Sequence, residues 1–102
     1  MKYTVRPRAW LDIEEIMTYL RDEADEEVAA RFWRRAQDTF VFLTQQPGVG
    51  RRRSDLRPEG LRSWQVHEFE NWLIFYGASE AGIEIFRVRH GMMDLTSLEM
   101  RS

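Results

Sequence analysis

Apolar residues recur at every third or fourth position through much of the first half of the chain and in short runs separated by turn residues through its last third. Tyr3 and Val5 flank Thr4, so a short strand with two side chains on one face opens the sequence. Pro7 ends it, because proline has no N–H to give a ladder. Trp10, Ile13, Ile16, Met17 and Leu20 then form an apolar stripe at helical spacing. Asp12, Glu14 and Glu15 lie near the start of that helix, where its dipole favours negative charge. An acidic segment, 22–27, separates it from a second helix, with Asp25 as N-cap and Glu26 and Glu27 in the first turn. The second stripe is Val28, Phe32, Ala36, Phe40 and Leu43. Glu27 and Arg31 are spaced for an i,i+4 ion pair. Pro47-Gly48 stops the helix. A short connection makes the two helices antiparallel neighbours.

Residues 48–60 (GVGRRRSDLRPEG) read as the one substantial loop. Strands are predicted over 61–68, 72–78 and 83–90, with a hairpin turn at 79–82. Gly91 breaks the last one. Residues 92–102 fit a short helix, an added edge strand or a tail that orders on a partner. The expected architecture is one α+β domain spanning residues 1–102, with element order β-α-α-β-β-β. A helical hairpin covers one face of a small antiparallel sheet, and the other face stays partly open. The pattern leaves the position of the first strand in the sheet undetermined.

Composition narrows the chemistry. With no cysteine, disulfides, thiolate catalysis and cysteine zinc sites are excluded. The N-terminal residues carry no apolar stretch of the secretory kind, and the longest apolar run, Trp72 to Tyr76, is far too short to span a bilayer. A cytoplasmic protein without membrane contact is expected. The formal net charge of −2 does not itself point to nucleic acid, but its distribution is uneven. Eight acids stand against Arg21 alone between Trp10 and Ala30, and five arginines against Asp55 and Glu59 between Arg51 and Arg62. An acidic helical end and a basic sheet end follow.

No P-loop, HExxH or GxSxG motif is present. His67 and His90 fall at strand ends; with Glu68 or Asp94 they match no metal-ligand spacing, so hydrogen-bonded structural roles are expected and no metal or cofactor. The carboxylates of the first helix read as a solvated face rather than an acid–base couple. The arginines are better candidates, since guanidinium offers a planar fork of donors to phosphate or carboxylate. Arg87 and Arg89 share a strand face by the period of two, and Arg62 is placed to join them from a neighbouring strand. Arg51, Arg52, Arg53 and Arg57 lie in the loop beside them, where ligand recognition and a solubilising ring paired with Asp55 and Glu84 are equally consistent readings. The aromatics Trp64, Phe69, Trp72, Phe75, Tyr76 and Phe86 fit core packing better than base stacking.

Several of these segments together resemble the RelE/ParE superfamily of toxins from type II toxin–antitoxin modules. They are the helix start Leu11-Asp12-Ile13-Glu14-Glu15-Ile16, the Pro47-Gly48 exit, the Gly50, Arg53 and Asp55-Leu56 loop, Arg62 opening a strand, and the apolar strand Trp72-Leu73-Ile74-Phe75-Tyr76. The ending Ile85-Phe86-Arg87-Val88-Arg89-His90-Gly91-Met92-Met93-Asp94 resembles that of the ParE-like branch, with Met93 where the family usually carries arginine. The resemblance implies a plasmid-stabilisation type of toxin that inhibits DNA gyrase without being an enzyme. It implies a hetero-oligomer with a cognate ParD-like antitoxin, and no sequence-specific DNA binding by the toxin itself. Arg53, Arg57, Arg62, Arg87, Arg89, His90, Met92, Met93 and Asp94 are then the residues expected to bind target or antitoxin. Truncation after Gly91 is expected to abolish toxicity and spare the sheet. The RelE-like alternative is a ribosome-dependent mRNA endoribonuclease using Arg62 and Arg89; no tyrosine follows Tyr76 and only Arg101 is basic after His90, which favours the ParE-like reading. A non-toxic interaction module of the same fold is the third possibility.

Overall fold

The computed structural model describes residues 2–92. Strand β1 (Lys2–Val5) leads directly into helix α1 (Pro7–Glu23), followed by α2 (Glu26–Gln45), β2 (Arg51–Arg52), β3 (Arg62–Val66), β4 (Phe69–Ser79) and β5 (Gly82–His90). Pro7 both stops the strand and opens the helix, where its missing N–H costs nothing. Asp25 caps α2 as expected, its Oδ1 accepting the Val28 N–H at 2.9 Å.

The sheet order is β1-β5-β4-β3-β2. β2 to β5 are antiparallel neighbours, whereas β1 lies parallel to β5, with Lys2 opposite Gly82 and Val5 opposite Ile85. The sheet is therefore mixed rather than wholly antiparallel. The first strand has crossed the helical hairpin to reach the last one, so no tight turn fixes its direction. Gly82 sits at φ 142°, and a Cβ there would collide with the Lys2 carbonyl, so this edge depends on glycine. The loop expected at 48–60 contains the short added strand β2.

Two cores flank the sheet. On the helical side Ile13, Ile16, Phe32, Ala36, Phe40 and Leu43 pack on Val66, Ile74, Tyr76, Ile83, Ile85 and Val88. Each such aliphatic or aromatic side chain contributes about 1.5–3 kcal/mol on burial. On the other side, Phe75 and Phe86 are covered by Leu56 and Leu61 from the arginine-rich loop, with Leu73 beside them. A register shift between Phe75 and Tyr76 in the β4–β5 ladder lets Ile85 and Val88 both face the helices.

The first apolar stripe is rotated from its expected position. Ala9, Asp12, Ile13 and Ile16 are the buried face of α1, while Trp10 is 43% exposed and leans on Trp33 with ring centroids 5.5 Å apart. Glu27 pairs with Arg34 at 3.1 Å rather than with Arg31. Arg31 is drawn instead to Glu68 in the β3–β4 turn and lies over the Phe69 ring. Such exposed pairs contribute little.

Candidate functional site

Asp12 is the largest departure from the sequence reading. It lies on the buried face of α1, 1% exposed, not on a solvated one. β1 covers β5 only as far as Ile85, with the Arg6 N–H reaching the Ile85 carbonyl. Past that point the edge of β5 has no strand beside it among the described residues, and the Asp12 carboxylate accepts from its backbone there. Its Oδ2 accepts the Val88 backbone N–H at 3.0 Å and Arg87 Nε at 2.7 Å; its Oδ1 accepts Arg87 Nη2 at 3.0 Å and Arg89 Nη1 at 3.1 Å. Arg89 Nη1 also donates to Glu15 at 3.4 Å. Arg87, 1% exposed, is thus a fastener between helix and sheet rather than a ligand-facing arginine. Arg89 is partly exposed at the rim of the same cluster.

The expected union of Arg62 with Arg87 and Arg89 does not form. β4 lies between their strands, and Arg62 turns the other way, donating to the Gly50 carbonyl at 2.9 Å and the Gly48 carbonyl at 3.3 Å. Arg53 is nearly buried, forms a two-point bond with Asp55 at 2.8 and 3.1 Å, and stacks over Phe75. That pairing was expected for the loop, and hydrogen bonding from Arg53 pulls the Asp55 carboxyl down to about 2. The other expected partner, Glu84, faces Arg6 at 3.7 Å. Arg57 donates to the Ser54 and Leu56 carbonyls. These loop residues enclose a cavity of about 380 Å³ walled by Arg52, Arg53, Arg57, Glu59 and Arg62.

His90 sits at the end of β5 against the edge of the Trp72 ring, and its Nδ1 accepts the Met92 N–H at 3.1 Å. Met92 is 87% exposed. Met93 and Asp94, the alternatives for the segment 92–102 beyond Met92, and the truncation expectation all concern positions outside the described residues. Among the described residues no group of three metal-ligating side chains converges.

A second cavity, of about 350 Å³, lies between α2 and β3, walled by Asp38, Thr39, Phe42, Trp64, Gln65 and His67. β2 pairs only with Arg62 and Ser63, so the outer edge of β3 beyond them has no strand partner among the described residues. The His67 N–H is taken by Thr39 Oγ1 at 3.1 Å. Phe42, 38% exposed, stands against Trp64 with ring centroids 6.0 Å apart, and Val41 is exposed next to it. Sequence reading missed this groove: Phe42 and Val41 fall off the helical stripe by a third of a turn, which was the available signal.

Tyr76 closes the junction between helices and sheet. Its hydroxyl donates to the Pro47 carbonyl at 2.8 Å and accepts the Gly50 N–H at 2.9 Å. Burial pushes its pKa above the usual phenol value. A Cβ at Gly50 would stand 2.5 Å from that hydroxyl and 2.9 Å from the Ser63 carbonyl, so glycine permits the approach.

The chain is 30% identical over 86 residues to Toxin ParE3 of Caulobacter vibrioides, an alignment spanning 84% of this chain and 82% of that protein. Its fold matches a chain of the chromosomal ParDE TA system from P. aeruginosa with a TM-score of 0.74, covering 88% of this chain and 95% of that one at 16% identity. A family model described as ParE toxin of type II toxin-antitoxin system, parDE, matches residues 3–95. With a match of that extent and a relative at that identity, the chain belongs to the ParE toxin family.

Proposed function

We propose that this ParE-family toxin inhibits DNA gyrase in the cytoplasm and is held inactive by a cognate ParD-like antitoxin. The observation that carries the reading is the family match over nearly the whole described chain. The groove between α2 and β3 supplies what an antitoxin segment requires. Phe42 and Trp64 offer apolar anchors, and the unpaired edge of β3 beside them offers backbone donors and acceptors. Arg62 and Arg89, which the endoribonuclease alternative would bring to one phosphate, are turned to different partners on strands separated by β4. No helix among the described residues is long and apolar enough to cross a membrane.

The test is a supercoiling and cleavage assay with purified gyrase and antitoxin-free protein. Loss of supercoiling with trapped cleavage complexes, relieved by the antitoxin, is the expected result. No effect at micromolar protein, together with mRNA cleavage on programmed ribosomes, would overturn it. For the groove, Phe42→Glu is expected to weaken antitoxin binding at least tenfold, because a charge would be buried against Trp64. Unchanged binding would place the antitoxin elsewhere.

A further inference from the structure

We infer that the cavity formed by residues 52–62 is a phosphate-binding site that takes the sugar-phosphate backbone of nucleic acid without reading its sequence. The arrangement of charge is the first observation. Arg52 on β2 lies directly opposite Arg62 on β3. Side chains so paired leave the same face of the sheet, and like charges directly opposite one another are destabilising. A fold that only needed to solubilise this edge would place a carboxylate across from one of them. Arg53 has such a partner in Asp55, but Arg52, Arg57 and Arg62 have none among the described residues. The remaining acid in the wall, Glu59, is exposed.

Preorganisation is the second observation. Nη1 of Arg57 is held by the Ser54 and Leu56 carbonyls, and Nη1 of Arg62 by those of Gly48 and Gly50. Both guanidinium planes are fixed by one nitrogen, and the other N–H donors of each fork remain for an anion. A fixed fork loses less freedom on binding than a mobile one. Arg52 completes a three-sided cationic wall around a space of about 380 Å³.

The wall also selects among anions. An acidic peptide would need apolar anchoring beside its carboxylates. The apolar side chains here, Leu56 and Leu61, are 4% and 2% exposed and belong to the core beneath. Nothing in the wall offers a ring for base stacking either. What is left to recognise is a repeated phosphate, for which fixed guanidinium groups suffice. This site lies apart from the Phe42–Trp64 groove and does not depend on which enzyme the toxin inhibits.

The experiment is fluorescence anisotropy with the full antitoxin-free chain and a labelled 20-base-pair DNA duplex, repeated with a labelled nucleoside triphosphate. Binding of the duplex at low salt is expected, with a log K against log salt slope of about −2 to −3 for two or three phosphates. Arg52→Ala and Arg57→Ala should each weaken it about five- to tenfold, with circular dichroism unchanged. Arg52→Lys should restore part of the loss. Arg8→Ala removes the same charge from α1 and should change little. Triphosphate binding with the same variant pattern would support the phosphate site and assign it to a free nucleotide. Equal losses in Arg8→Ala, no loss in the loop variants, no binding of either ligand, or competition by polyglutamate as strong as by unlabelled DNA would each overturn the inference.

Discussion

Replacing Asp12 by asparagine tests the helix-to-sheet fastening in the most direct way. The side chain keeps its volume, but the carboxylate that accepts from Arg87 Nε, Arg87 Nη2, the Val88 N–H and Arg89 Nη1 loses its charge. In place of one acceptor oxygen it presents an NH2 group to donors. Arg87 is left 1% exposed with its Asp12 counter-charge gone. Breaking a buried ion pair on one side costs about 3–5 kcal/mol. That is a large part of the roughly 5–15 kcal/mol by which a domain of this kind is folded. Thermal unfolding should fall by on the order of 15–30 °C. In urea, with a slope of about 1–3 kcal/mol per molar, the midpoint should move down by about 2 M at unchanged slope. Tryptophan fluorescence of the antitoxin-free protein reads both. The double substitution Asp12→Leu with Arg87→Leu removes both charges of the pair and should recover much of the loss, because neither ion is left facing the other's empty place. A loss under about 1 kcal/mol for Asp12→Asn, or a double variant no better than the single one, would refute the reasoning.

Three further substitutions can be measured. Tyr76→Phe leaves the Gly50 N–H and the Pro47 carbonyl without their shared hydroxyl and should cost about 1–3 kcal/mol in a urea melt. Because the folded Tyr76 pKa is raised, its contribution is complete below the unfolded value near 10 and should fade as pH climbs through the folded one; a stability curve flat in that range for wild type and steep for Tyr76→Phe would contradict it. Asp55 runs the other way: its carboxyl at about 2 contributes above the unfolded value near 4 and loses its effect as pH falls toward 2, so Asp55→Asn should flatten the acid limb of the curve. Arg89→Ala removes a partly exposed member of the Asp12 cluster, so it should cost only about 1–2 kcal/mol and is the better probe of target or antitoxin affinity than the buried Arg87.

The elements of the fold were legible because their signals are local. Asp25 before an apolar stripe, Pro47-Gly48 after it, and the β-prone runs at 72–78 and 83–90 each act within a few residues. What was illegible depends on partners far along the chain. Nothing near Tyr3 shows that its strand runs parallel to β5. Asp12 looked like a dipole-favoured surface acid, although its spacing from Ala9 and Ile16 puts it on the buried face. The period of two correctly set Arg87 and Arg89 on one strand but said nothing of the helix waiting at its edge. The loop arginines Arg51, Arg52, Arg53 and Arg57 read as one set, but Arg53 is paired with Asp55 whereas Arg52 and Arg57 have no carboxylate partner among the described residues.

The parallel pairing of β1 with β5 also constrains when the protein can exist. β1 and the helices emerge early in synthesis, but their partners are among the last residues made; Arg87 follows Asp12 by 75 positions. At roughly 5–20 residues per second, several seconds separate the synthesis of the helical hairpin from that of β5. Contacts this distant in sequence form slowly. A chain that stops before β5 lacks the strand that joins β1 to β4 and the donors that hold Asp12, so the last strand made is what ties the first to the rest of the sheet.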